Sequence, residues 1–207
     1  MKIRDFTLTT IFLSIILLCA FTPIGFIHLG VIKATIIHIP IIIASIILGP
    51  KIGAFLGFVF GITSIVTNTV APTLLSFAFS PAIPVLGTGQ GSFWALFVAI
   101  VPRVIIGFIP YYLFKAMHKA MTKKKNKQKQ VLFLTGLLST FVHTLLVMGS
   151  ISLLFNDAYA QAINADSTSA IIIAVLTVFL TNGLAEAVLA AFVTATVAPP
   201  LFKLLKK

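Results

Sequence analysis

The sequence predicts an all-α integral membrane protein: a bundle of six transmembrane helices forming one domain over residues 1–207, with both termini cytoplasmic. Three observations carry that prediction. Hydrophobic residues make up 59% of the chain and charged residues only 9%, with a mean hydropathy of +1.13, whereas soluble domains carry charge on about a quarter of their residues. Apolar stretches close to the roughly 20 residues of a helical crossing recur along the chain. The basic residues gather at alternate ends of those stretches, as cytoplasmic Lys and Arg do.

The expected spans are roughly 6–22, 31–48, 52–69, 93–118, 131–154 and 169–202. The first follows Lys2 and Arg4 and is expected to be retained rather than cleaved, because Leu18 stands where a lipoprotein site before Cys19 needs a small residue. It carries Thr10 and Ser14 four apart. The second, Ile-rich and interrupted by Pro40, meets the third at the corner Leu48-Gly49-Pro50-Lys51. In the third, Gly53, Gly57 and Gly61 share one helix face and admit another backbone closely; Thr67, Asn68 and Thr69 end it. The segment 70–92 is long, apolar and rich in Pro and Gly, and reads either as a lid over an outward-facing cavity or as a re-entrant packing loop. Pro102 and Pro110 are expected to bend the fourth span. The sixth repeats the small-residue stripe with Gly183, Ala187, Ala191 and Ala195.

Charge fixes the expected orientation. Lys51, the lysines from Lys115 to Lys129 and the C-terminal Lys203, Lys206 and Lys207 fall on the side of the N-terminus, leaving 70–92 and 155–168 outside. The net charge of +11 therefore marks span ends facing anionic lipid, not nucleic acid. One cysteine excludes an intramolecular disulfide and any thiolate metal cluster. HExxH, Gly-x-Ser-x-Gly and Walker motifs are absent, as is a pair of intramembrane aspartates. The chain itself is thus not expected to be an enzyme, and no cofactor or metal is implied.

Polar residues within the spans are few: His38, Arg103, His143, Asn182 and Glu186, with Lys33 at the outer start of the second. A charge at membrane depth is costly unless paired or wetted. At 1.5 Å per residue, Arg103 lies roughly 15 Å inward, with His143 and Asn182 within about 5 Å of its level. Three helices thus place polar groups in one layer beneath the 70–92 segment and Trp94. Two roles are open for Arg103: an ion pair with Glu186, or a fixed cation gripping a ligand carboxylate.

The run Phe21-Thr22-Pro23-Ile24-Gly25-Phe26-Ile27 resembles the substrate-binding S components of energy-coupling factor (ECF) vitamin transporters, more narrowly the pantothenate S component. So do Ala34–Pro40, Leu48–Ala54 and Val101-Pro102-Arg103. The resemblance implies a high-affinity vitamin binder in the bacterial plasma membrane, working with a transmembrane coupling subunit and two ATP-hydrolysing subunits. It implies that the first three helices dock on the coupling subunit through small residues. These are Thr10 and Ser14, where the family often has alanines, and the Gly53–Gly57–Gly61 face. It implies pantothenate as ligand: Arg103 or Lys33 would meet its carboxylate, and Asn68, Gln90, Asn182 and His143 its hydroxyls and amide, near Trp94. Competing readings are an S component for another vitamin or precursor (a hydroxymethylpyrimidine or a folate), a lipid-acting membrane enzyme using His143 and Glu186, and an assembly subunit that binds nothing small.

Overall fold

The computed structural model describes residues 3–29, 32–121, 127–165 and 167–206. They are almost wholly helical: α1 (Ile3–Phe21), α2 (His38–Leu48), α3 (Pro50–Val70), α4 (Trp94–Met121), α5 (Gln128–Leu154), the short α6 (Asn156–Ala162), α7 (Thr168–Val178) and α8 (Leu184–Lys206). A π-turn, Phe179–Gly183, joins α7 to α8, so Thr168–Leu204 runs as one apolar helix. That helix, α1, α3, α4 and α5 are the five described helices long and apolar enough to cross a membrane. Lys123–Lys125 and Asp166 lie outside the described residues.

The expected helix over 31–48 is corrected. Its first part is a two-stranded antiparallel hairpin, β1 (Phe26–Leu29) against β2 (Ile32–Thr35), with Phe26 opposite Thr35 and His28 opposite Lys33. Helix begins only at His38. Pro40 sets that start: lacking an N–H, it cannot bond to the Ile36 carbonyl, which instead accepts from Ile39 N at 3.1 Å. Proline is harmless in a first helical turn, where N–H groups have no intrahelical partner, and it discourages helix before it. The same rule starts α3 at Pro50, after Gly49 turns the chain at φ 94°, a conformation that favours glycine.

The glycine stripe of α3 faces α4. A methyl group on Gly53 would overlap the Gly107 carbonyl oxygen, one on Gly57 would overlap that of Arg103, and one on Gly61 would stand 3.0 Å from that of Ala99. The paired numbers rise on one helix as they fall on the other, so α3 and α4 run antiparallel in backbone contact. The face expected to meet a partner chain is therefore filled from within. A second close pair joins α5 to α8, where Gly136 meets the Ala190 backbone and Thr144 packs on Gly183.

Two apolar cores result. One is built from Phe12, Ile16, Ile41, Ile42, Leu56, Ile106 and Leu132, on α1 to α5. The other takes Phe77 and Ala78 from the segment after α3, Ala95 and Val98 from the start of α4, Met148 and Ile151 from the end of α5, and Tyr159 from α6. Between them, on every helix that crosses the gap, lie polar side chains.

Candidate functional site

That polar layer is centred on Arg103, only 7% exposed. Its geometry starts with its neighbour. Pro102 has no N–H, so the Val98 carbonyl four residues back loses its helical donor. The Arg103 side chain supplies the replacement, with Nη1 donating to Val98 O at 2.6 Å. The Pro-Arg pair is thus one structural unit that turns the guanidinium toward the start of α4. There its faces meet two aromatic rings, Phe79 at 4.8 Å and Phe60 at 5.6 Å from the centroids, contacts that favour a cation. Nη2 reaches Ser64 Oγ at a long 3.4 Å, and Nε is buried without a hydrogen-bond partner.

No ion pair joins Arg103 to Glu186 among the described residues, where the salt bridge is Arg4–Asp5 at 3.7 Å. That pairing, one of the two roles open from the sequence, gives way to a different contact: Glu186 Oε1 accepts from the backbone N–H of Thr35 at 2.7 Å. The reason is placement. α8 packs beside β2, and the carboxylate satisfies a strand-end donor there, while the guanidinium turns away to the carbonyl freed by Pro102. The cation of the layer consequently has no described carboxylate.

His143 on α5 joins Arg103 through the helix backbone, with Nδ1 3.4 Å from Pro102 O; a carbonyl accepts, so Nδ1–H donates. Its ring stacks on His38, centroids 5.9 Å apart. His38 is 1% exposed and places Nε2 3.2 Å from Thr140 Oγ1. Thr140 already donates to Gly136 O at 3.0 Å, so its oxygen accepts and Nε2–H donates. His38 thus bonds across to α5 and also meets the Thr35 backbone. Asn182 is half-buried on the π-turn, next to the Gly183 that Thr144 contacts. Arg103, His143 and Asn182 therefore share a level, as counting helix rise predicted. π-turns interrupt helices frequently at functional sites.

The other expected site residues sit apart. Asn68 donates to Ser64 O at 2.8 Å and accepts from Ser76 Oγ at 2.7 Å, anchoring the 70–92 segment to α3. Gln90 is exposed, and its backbone carbonyl accepts from Val85 N at 2.9 Å to close a turn. Trp94 is 58% exposed and meets Phe97 edge-on, outside the layer. Lys33 stands on β2, with its side chain outside the described part. Thr10 and Ser14 are exposed on α1, their hydroxyls bonded back to Phe6 O and Thr10 O at 3.1 and 2.9 Å. A groove of about 460 Å3 lined by Met121, Phe133, Leu134, Phe192 and Lys129 lies near the far end of α4. Met121 is 18 residues past Arg103, roughly 27 Å by helix rise, so the groove is no part of this site.

Sequence reasoning missed Ser64, Phe60, Phe79 and Thr140. Ser64 was the readable one, one turn before Asn68 on the stripe side of α3. Phe79 lies across a loop whose path no periodicity reveals.

The sequence profile described as "ECF transporter, substrate-specific component" matches residues 4–198, nearly the whole chain. The chain belongs to that family. Among its relatives is the pantothenic acid transporter PanT of Lactococcus lactis subsp. cremoris, 38% identical over 172 residues, 83% of this chain and 79% of the relative. The pantothenate transporter PanT of Leuconostoc mesenteroides subsp. mesenteroides is 31% identical over 113 residues, 52% of this chain and 49% of that protein. This S component is accordingly a multi-pass membrane protein of a transport family.

Proposed function

We propose that the chain is the pantothenate-binding subunit of an ATP-driven ECF importer in the bacterial plasma membrane. It would cross the membrane six times, α2 with the hairpin making one crossing, with both termini cytoplasmic. One observation carries the site: a buried guanidinium with one edge unoccupied and no described carboxylate opposite it. A buried cation without a counter-ion is strongly unfavourable, so a monoanionic ligand completes the layer. Pantothenate supplies one carboxylate, and its amide and hydroxyls suit His143 and Asn182. Phe79 and the Asn68–Ser76 tie close the layer from the 70–92 side, which makes that segment the lid that ligand access must displace.

The chain holds no ATPase motif, so energy must come from partner subunits. With the glycine stripe filled by α4, α1 is left as the docking face. Thr10 and Ser14 bond to their own helix and present a small, effectively apolar surface.

Calorimetric titration of the purified chain against a vitamin panel tests the ligand. We expect saturable binding of pantothenate, and a preference for a hydroxymethylpyrimidine or a folate would overturn the assignment. Arg103→Ala alone removes both the ligand contact and the Val98 cap. Restoring the backbone donor with Pro102→Ala separates them: Pro102→Ala with Arg103→Ala should fold and still bind ten- to a hundredfold more weakly, the loss of a charge-assisted bond. Full binding by the double variant would make Arg103 purely structural. Outside labelling should reach Ser92→Cys and Ser167→Cys but not Asn126→Cys.

A further inference from the structure

The guanidinium is not equally open on all sides. Its five N–H groups form a fixed planar fork, in which Nε–H and one Nη2–H point along one edge while Nη1 serves the other. Nη1 is committed to Val98 O at 2.6 Å. Nε is buried and unpartnered, and Nη2 has only the 3.4 Å contact with Ser64. The free edge is therefore the side-on edge, the one that takes two carboxylate oxygens at once. Around it stand Phe60 and Ser64 of α3 and Phe79 of the covering segment. On that side the next polar group, Asn68, already uses both ends of its amide. Toward the bundle's other side stand His143, Thr144 and the π-turn bearing Asn182.

We infer that the ligand lies across the bundle with a fixed polarity, its carboxylate end seated on the Nε/Nη2 edge in the corner between α3, α4 and the 70–92 segment, and its hydroxyl-bearing end at α5 and the π-turn. This rests on the pantothenate reading above and adds a rule of selectivity. The carboxylate corner is walled by two aromatic rings and a used-up amide, so a ligand neutralised or extended at its carboxyl end is rejected. Amides that continue the chain beyond that point, as in pantetheine, have nowhere to put the added atoms. Loss of a hydroxyl at the other end removes a neutral hydrogen bond only.

The test is a set of cycles between protein and ligand changes, using the full chain in nanodiscs. Wild type should bind pantothenate ten- to a hundredfold more tightly than pantothenyl alcohol, in which CH2OH replaces the carboxylate, and should bind pantetheine no better than the alcohol. In the Pro102→Ala, Arg103→Ala background the preference for pantothenate over the alcohol should disappear. In Asn182→Ala it should persist, while the smaller preference for pantothenate over a 4′-deoxy analogue should shrink. The reverse pattern, with carboxylate discrimination lost in Asn182→Ala and kept without Arg103, overturns the polarity. Tight pantetheine binding overturns the closed corner. A wild-type chain that binds no pantothenate at all removes the substrate reading, and the polarity falls with it; that outcome differs visibly from pantothenate bound the other way round.

Discussion

The two apolar cores on either side of the polar layer are built by different means. The core on the Gly49 side is made of helices in backbone contact, with Gly53 on Gly107 and Gly57 on Arg103. The core on the other side is assembled from a loop, a 3-10 turn at Ser76–Ala78, the ends of α4 and α5, and α6. Its pieces are held by side-chain hydroxyls, such as Ser76 on Asn68 and Thr69 on Ser80 at 2.6 Å. Backbone contact between helices leaves no intermediate position, because interiors are close-packed and respond to a single added methylene. Hydroxyl ties cost about 1 kcal/mol each to break and can re-form. The polar layer thus lies between a floor of helices in backbone contact and a cover of shorter pieces tied by side-chain hydroxyls.

The floor breaks first. Gly57→Leu would drive a side chain into the Arg103 carbonyl, with backbone rather than a flexible side chain in its way. We expect loss of folded protein, measured as the monodisperse fraction after extraction. A well-folded Gly57→Leu chain with weakened binding would instead mean that α3 and α4 can separate, and that the floor is no floor.

How much of this asymmetry could be read from the sequence follows from where its causes lie. The glycine stripe, the Pro50 corner and the level shared by Arg103, His143 and Asn182 are consequences of helix period and rise, and both are local. The β1–β2 hairpin was missed because Ile-rich sequence suits a strand as well as a buried helix, and hydropathy alone does not separate them. Pro40 held the signal, since nothing helical precedes it by more than two residues. The fate of Glu186 was unreadable for a different reason: its partner is a backbone N–H 151 positions away, and backbone donors leave no mark in a sequence. The packing of the glycine face on α4 was unreadable on the same ground, because a small-residue face says that something approaches closely but not which element it belongs to.

That Glu186 contact gives the next test, at the hairpin. A charged acceptor on a backbone donor is worth about 1.5–3 kcal/mol, so Glu186→Ala should speed hydrogen exchange at the Thr35 amide by roughly ten- to a hundredfold. Glu186→Gln keeps an oxygen in place and should retain most of the protection. Equal exchange in both variants would show that the carboxylate is not what holds the hairpin to α8.

Ser76→Ala acts on the cover itself and should do less. It removes the hydroxyl that donates to Asn68 Oδ1 and accepts from Thr73 N at 2.8 Å. Protease nicking within 71–93 should rise several-fold, in line with about 1 kcal/mol, while thermal unfolding of the helices stays put. A large drop in the unfolding midpoint would mean that the cover and the floor melt as one unit.

The smallest effect is the one that tests whether the floor argument concerns glycine or position. Gly149 on α5 has nothing within 4 Å of where a Cβ would stand, whereas Gly57 meets backbone at once. Both are mid-helix glycines in an apolar chain, so helix propensity treats them alike, favouring Ala by at most about 1 kcal/mol in water. Gly149→Ala should therefore leave folding intact or raise the midpoint by a few degrees, with pantothenate affinity unchanged. If packing within this chain is the whole role of its close helix contacts, uptake by the assembled transporter should be unchanged too. A Gly149→Ala chain that folds and binds normally yet transports poorly would place another subunit against α5, and would move the search for the docking face away from Thr10 and Ser14 on α1.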